Sequence, residues 1–384
     1  MKKFIYMTFL CSVLTGCIKI NEIQSQAYAV GIGIDYVNDE YYVILQFLDF
    51  SNVAKSEQGK NTEPSPVWIS EGKGKTVSEA ITNIYEGIQV PVNYDQISLC
   101  LFSESILDNR IEEALEFLDT NFNIRLTAWV YGTANSISKI FTTKLPFYYA
   151  FSYSRLVQPQ YMQQQNSTIP SISLQELIYM NNEDTKTLLL PSISIDDVII
   201  KEDLKQIPVT VFNGAYIMKG TELKGHLTKK EIEGYIRVNN ESVRSTLMVV
   251  DGEKESGKFI DIELLNPKVK RKIIEDDDTV RVGLDIKVST VIRESRMKVL
   301  APKVKKEVKE KIRNDVYSAY LKSREMGGDI YQFEDYLYRF WPKEWWRLQT
   351  EGELPILNKE DVHVEIKPFK SINRVDSGID AFLK

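Results

Sequence analysis

The chain has 384 residues, with 48 Lys and Arg against 54 Asp and Glu, a net charge of −6 and 11% aromatic side chains. An acidic surface excludes nucleic acid and electrostatic adhesion to an anionic membrane as working modes. Three cysteines and two histidines leave little room for a disulfide framework or a histidine-rich metal centre.

The chain opens MKKFIYMTFLCSVLTGCIKI. Lys2 and Lys3 are followed by a mostly apolar run over residues 4–14, too short for the roughly 20 residues a spanning helix needs. A basic start, a brief apolar middle and a small-residue exit describe an export signal. Its end, Leu14-Thr15-Gly16-Cys17, looks like a bacterial lipobox, in which the peptide bond between Gly16 and Cys17 is cut and the Cys17 thiol takes a diacylglycerol. No A-x-A-like exit competes with it. Each buried methylene contributes ~0.8 kcal/mol, so two or three acyl chains hold a protein on its bilayer. Residues 1–16 are thus expected as a signal peptide and 17–27 as lipidated cysteine and tether. Cys11 leaves with the signal and Cys17 is spent on lipid, so Cys100, inside the apolar ISLCLF, is expected as a buried structural thiol without a disulfide partner.

An N-terminal α/β domain is expected over residues 28–200. YAVGIGIDYVNDEYYVILQFLDF predicts a hairpin with strands near 28–36 and 41–49, turned by Asn38-Asp39. Residues 51–66 lack periodicity and read as a solvated loop, with the strand VWIS after them. In EGKGKTVSEAITNIYEGI, Gly74-Lys75-Thr76 imitates the end of a phosphate-binding loop, but Ile69 stands where such a loop needs glycine. Thr76 and Glu79 instead have capping-box spacing. Val77, Ala80, Ile81, Ile84, Tyr85 and Ile88 share one face of the helix they would start. A strand over 96–102, the amphipathic helix RIEEALEFLDT and a strand over 123–132 follow. FYYAFSYSRLVQPQYMQQQ reads as partly helical, its tyrosines in packing contacts rather than on a binding surface.

The charged run KEDLKQIP, residues 201–208, is expected as a domain boundary, followed by a small β-rich middle domain over 205–265 and a C-terminal α+β domain over 266–384. Two strands around a glycine-bearing turn lead to a short helix from Thr228. Hairpins are expected around Asp251-Gly252 and in KVKRKIIEDDDTVRVGLDIKVSTVI, where Val280, Val282, Leu284, Ile286 and Val288 alternate toward one face. Val304, Val308, Ile312, Val316 and Ala319 form one stripe of a long helix. An aromatic-rich segment with Trp341, Trp345 and Trp346 and a last strand, VHVEIKPFK, close the chain. The fold class is α+β, in two to three mixed α/β modules behind the signal peptide.

No catalytic, cofactor-binding or metal site is assigned. His226 reads as an exposed turn residue and His363 as a strand residue, far apart and without ligand spacing. Glu275 to Asp278 lack the alternation of a calcium loop and read as a solvated hairpin tip. The three tryptophans read as core.

Taken together, the lipobox at Cys17, GIGID at 31–35, SEGKGKTVSEAI at 70–81, LEFLDTNFNIRLTAWV at 115–130, NGAYIMKGTELKGHLTKKE at 213–231 and GDIYQFEDYLYRFWPKEW at 328–345 resemble the Ger(x)C family, the lipoprotein C subunits of spore germinant receptors. Family members often carry Cys-Trp-Asp at the lipid cysteine, where this chain has Ile18-Lys19-Ile20 after Cys17. The resemblance implies a non-enzymatic, three-domain protein on the outer face of the spore's inner membrane. There it would assemble with an A subunit and a multi-spanning B subunit in a complex that responds to small nutrients. Only Cys17 carries over as a functional residue. The competing readings are a solute-binding lipoprotein, which needs two similar α/β lobes around a cleft, and a surface hydrolase, for which motifs are missing.

Overall fold

In the computed structural model, which describes residues 25–48, 66–120, 123–250, 259–276, 279–296, 301–367 and 370–371, the chain builds two mixed sheets in succession. Gly16, Cys17, most of the expected loop over 51–66 and both expected hairpin tips, 251–258 and 277–278, lie outside the described residues.

β1 (Ala27–Val37) and β2 (Glu40–Phe47) form the expected hairpin. Asn38 and Asp39 both take left-handed φ values, 53° and 60°, as the tightest antiparallel turns require. β3 (Trp68–Gly74) lies antiparallel to β2, and α1 (Val77–Ile84) packs back on it. The two-residue β4 (Val92–Asn93) pairs with β1. β5 (Leu99–Ser103) runs parallel to β1, and two short helices, α2 (Glu104–Asn109) and α3 (Ile111–Thr120), follow it. β6 (Trp129–Thr133) is parallel to β5 and starts six residues later than the expected strand over 123–132. α4 (Ile137–Thr142), α5 (Pro159–Gln165), the short β7 (Ile172–Ser173) and α6 (Leu174–Asn181) lead to β8 (Leu188–Glu202). β9 (Lys205–Lys219) and β10 (Glu222–Thr228) continue antiparallel, giving the order β10-β9-β8-β6-β5-β1-β2-β3.

β5 is buried on both faces: Cys100 and Phe102 join the core under α1, α2 and α3, while Leu99 and Leu101 join that under α4. This explains why QISLCLF shows no polar alternation.

The run over 201–208 is the tip of the β8–β9 hairpin, where Asp203 and Leu204 turn the chain with φ of 48° and 67°, and both arms belong to the first sheet. The residues expected as a middle module are accordingly shared: β9 and β10 lie in the first sheet, while β11 (Arg244–Val250) and the start of β12 (Phe259–Asp276) lie in the second. α7 (Glu233–Val238) sits between them.

β12 pairs antiparallel with β13 (Thr279–Ser295), after which α8 (Ala301–Glu325), α9 (Phe333–Phe340) and α10 (Pro342–Glu351) form a crossover. It returns the chain to β14 (Leu357–Ile366), parallel to β13, with β15 (Lys370–Ser371) beside it. Val304, Val308, Ile312, Val316 and Ala319 of α8 are all buried, as their spacing predicts. Their apolar cluster also includes Leu189, Ala215, Ile217 and Leu227 of the first sheet, so the two halves share a core.

Polar contacts cross that junction. Lys219 donates to both Glu334 oxygens at 2.8 and 2.9 Å, the Thr187 hydroxyl accepts from the Asp329 N–H at 2.9 Å, and the Gln332 amide donates to the Thr187 carbonyl at 2.5 Å. Among the described residues no helix is long and apolar enough to cross a membrane.

Candidate functional site

Between Lys144 and Glu176 the sequence carries one charged side chain, Arg155. Pro146 and Pro159 interrupt the backbone on either side of it, so the segment forms two single 3-10 turns, Pro146–Tyr148 and Phe151–Tyr153, before α5 begins with a proline in its first turn. The loop is pinned where the Tyr131 hydroxyl donates to the Leu156 carbonyl at 3.0 Å.

Three rings of this aromatic loop stand in solvent. Phe147, Tyr149 and Tyr153 are 72%, 54% and 63% exposed and touch one another, which corrects the expectation that these tyrosines pack into a core or domain contact. With Leu145 and Met162 they wall a cleft of about 360 Å³, whose opposite wall is the β8–β9 hairpin through Ile199, Ile200 and Val209. Arg155 lines it half-buried. Its guanidinium lies 5.8 Å from the centre of the Phe212 ring and donates to the Met162 sulfur at 3.9 Å. Removal from water holds its pKa below the ordinary arginine value. Ser154, also on the wall, has a buried hydroxyl with no hydrogen-bond partner.

The residues singled out in the sequence are not gathered there. The Cys100 thiol is buried, and burial pushes it up to about 12, which makes it inert. His363 is exposed on β14. Glu275 pairs with Val280 beside the β12–β13 tip.

His226 is not an exposed turn residue; it sits half-buried on β10, with its ring Nε2 2.7 Å from the Ser192 hydroxyl. That hydroxyl donates to the Asn213 side-chain oxygen at 2.6 Å, so its remaining role toward the imidazole is acceptor. A nucleophilic serine needs the opposite polarity, with its proton directed at the histidine, and open access. Ser192 is 1% exposed, and burial also lowers the His226 pKa, keeping the ring neutral. The pair is a structural hydrogen bond joining three strands.

Thr76 caps α1 as expected, accepting from the Glu79 N–H at 3.1 Å, but Glu79 reaches back to the Lys75 N–H at 2.6 Å rather than to that of Thr76. The glycines of EGKGKT serve packing: a Cβ on Gly72 would stand 2.1 Å from the Ala80 carbonyl oxygen. Trp346 and Phe340 are 63% and 65% exposed and Trp345 is partly buried, so the aromatic C-terminal helices are not simply core. Among the described residues no cluster of three or more His, Cys, Asp or Glu side chains is placed to hold a metal ion.

Sequence reasoning passed over Arg155 and Ser154. The signal was available: one cation in a long stretch otherwise without charge.

Two family models match the chain in succession. One, described as the spore germination protein N-terminal domain, covers residues 19–195; the other, described as spore germination B3/GerAC like, C-terminal, covers 213–374. Spore germination protein KC of Bacillus subtilis (strain 168) is 23% identical over 388 residues, spanning 92% of each chain. The putative spore germination protein YfkR of the same organism is 26% identical over 149 residues, 37% of this chain and 39% of that one. Among solved structures, the crystal structure of the GerBC protein covers 89% of this chain and 97% of its own, at a TM-score of 0.54 and 17% identity.

Proposed function

The chain belongs to the GerAC-like family of spore germination proteins, and from that premise we propose that it acts as the lipid-anchored, non-enzymatic C subunit of a nutrient germinant receptor. The observation that carries this reading is the ordered pair of family matches across both halves of the chain. Cys17, following Leu14-Thr15-Gly16, takes the diacylglycerol after cleavage behind Gly16 and holds the protein on the outer face of the spore's inner membrane. Its partners there are a membrane A subunit and a multi-spanning B subunit.

Tethering supplies the mechanism. A protein confined to the bilayer surface meets its membrane partners at a high effective concentration, so a modest interface suffices for assembly. No residue is given a catalytic role; the His226–Ser192 contact has the wrong proton polarity for nucleophilic attack. The solute-binding alternative requires two similar lobes, and the eight-strand path of the first sheet and the β11-β12-β13-β14 order of the second are unlike.

Cys17→Ala tests the reading. Membrane fractionation is expected to find the variant released to the aqueous phase, and spores carrying it to lose most of their response to nutrients. Full membrane retention with normal germination would overturn it.

A further inference from the structure

Arg155 places a half-buried positive charge in a mostly apolar wall that includes Leu145, Phe147, Met162, Ile200 and Val209, with the exposed Lys144 as the second cation on the lining. Among the described residues no carboxylate pairs with it; its partners are a thioether sulfur and an aromatic face. Both are weak acceptors for a guanidinium that has lost much of its water. Beside it the Ser154 hydroxyl is likewise without a partner. A half-buried guanidinium without a carboxylate partner, on the wall of a largely apolar cleft, is placed to receive an anionic group.

We propose that this cleft binds a small amphipathic carboxylate, its carboxylate group on the Arg155 guanidinium and its apolar body between the aromatic loop and the β8–β9 hairpin. The planar fork of an arginine matches a carboxylate through two parallel hydrogen bonds. The lining demands an apolar body, and about 360 Å³ limits it to a small molecule at the low end of ligand-pocket sizes. The site is independent of the lipid anchor, so it stands or falls apart from the receptor reading.

Fluorine NMR on the full chain in lipid nanodiscs, referenced to empty nanodiscs, provides the test, with 4-fluorophenylacetate as the probe and its neutral amide as the control. The acid is expected to bind saturably and at least tenfold tighter than the amide. Arg155→Met is expected to remove most of that preference, and Arg155→Lys to restore part of it. Because Arg155→Met also alters packing against Phe212, a second variant, Ile199→Glu, sets a competing carboxylate at the exposed rim and is expected to weaken acid binding at least tenfold. Equal binding of acid and amide, no saturable binding, or acid binding untouched in both variants would each overturn the proposal.

Discussion

Lys219, the last residue of β9, grips both carboxylate oxygens of Glu334 in α9, joining the two halves of the chain through an ion pair whose acidic member is 1% exposed. Glu334 also accepts from the Gln349 amide at 2.7 Å, so every strong donor it has comes from a different element.

Lys219→Met leaves that carboxylate buried without its counter-charge. Breaking such a pair on one side costs about 3–5 kcal/mol; the lysine's partial exposure places the expected loss near the lower end. A double variant, Lys219→Met with Glu334→Met, is expected to recover much of it. Urea denaturation measures both. A single-variant loss below that of an exposed lysine replaced on α8 would refute the view that the pair fastens the junction.

Asp329 lies beside it, fully buried, and desolvation pushes its carboxyl up to about 7, with the Glu334 charge adding to the rise and the Glu334 N–H and Arg271 opposing it. Its native pKa lies above the unfolded value, so the folded protein holds a proton that the unfolded chain has released. Stability therefore falls as pH rises from about 4 through 7 and levels off above that. Asp329→Asn keeps an acceptor for the Glu334 N–H and removes the titration. The variant is expected to gain on the wild type across this window, by up to roughly 4 kcal/mol. Denaturation midpoints at pH 5 and pH 8 check it; a difference that does not grow with pH contradicts the assignment.

Gly72→Ala is expected to destabilise by at least ~2 kcal/mol, because the new methyl would meet the Ala80 carbonyl oxygen at 2.1 Å and the Ile84 side chain at 2.7 Å. Backbone cannot yield as a flexible side chain does, so α1 must lift from β3. Gly87→Ala, whose methyl has nothing nearer than 3.9 Å, is the control. Thermal melts that fail to separate the two would remove close helix–strand approach as the reason for these glycines.

Much of the architecture was legible in periodicity. The stripe from Val304 to Ala319 and the alternation from Val282 to Val288 mark buried faces because one element in each case has a single side turned to the core. The failures have a common physical origin. A solvated hairpin tip and an inter-domain linker have the same composition, so KEDLKQIP did not reveal that Asp203 and Leu204 turn a long antiparallel pair. His226 reads as exposed among lysines and glycines because its partner Ser192, itself bonded to Asn213, reaches it through strand register and not through nearness in sequence. The tyrosines of the aromatic loop and Trp346 showed that ring count does not foretell burial where prolines or short helices set the direction.

β1 is the first described strand, and it is an interior one, bonded to β2 on one side and to β5 on the other. A pull transmitted from the N-terminal end would be borne by both ladders at once, in shear along the strand direction, instead of peeling an edge one rung at a time. Under the anchoring proposed at Cys17, load arriving from the bilayer would be shared between the two ladders.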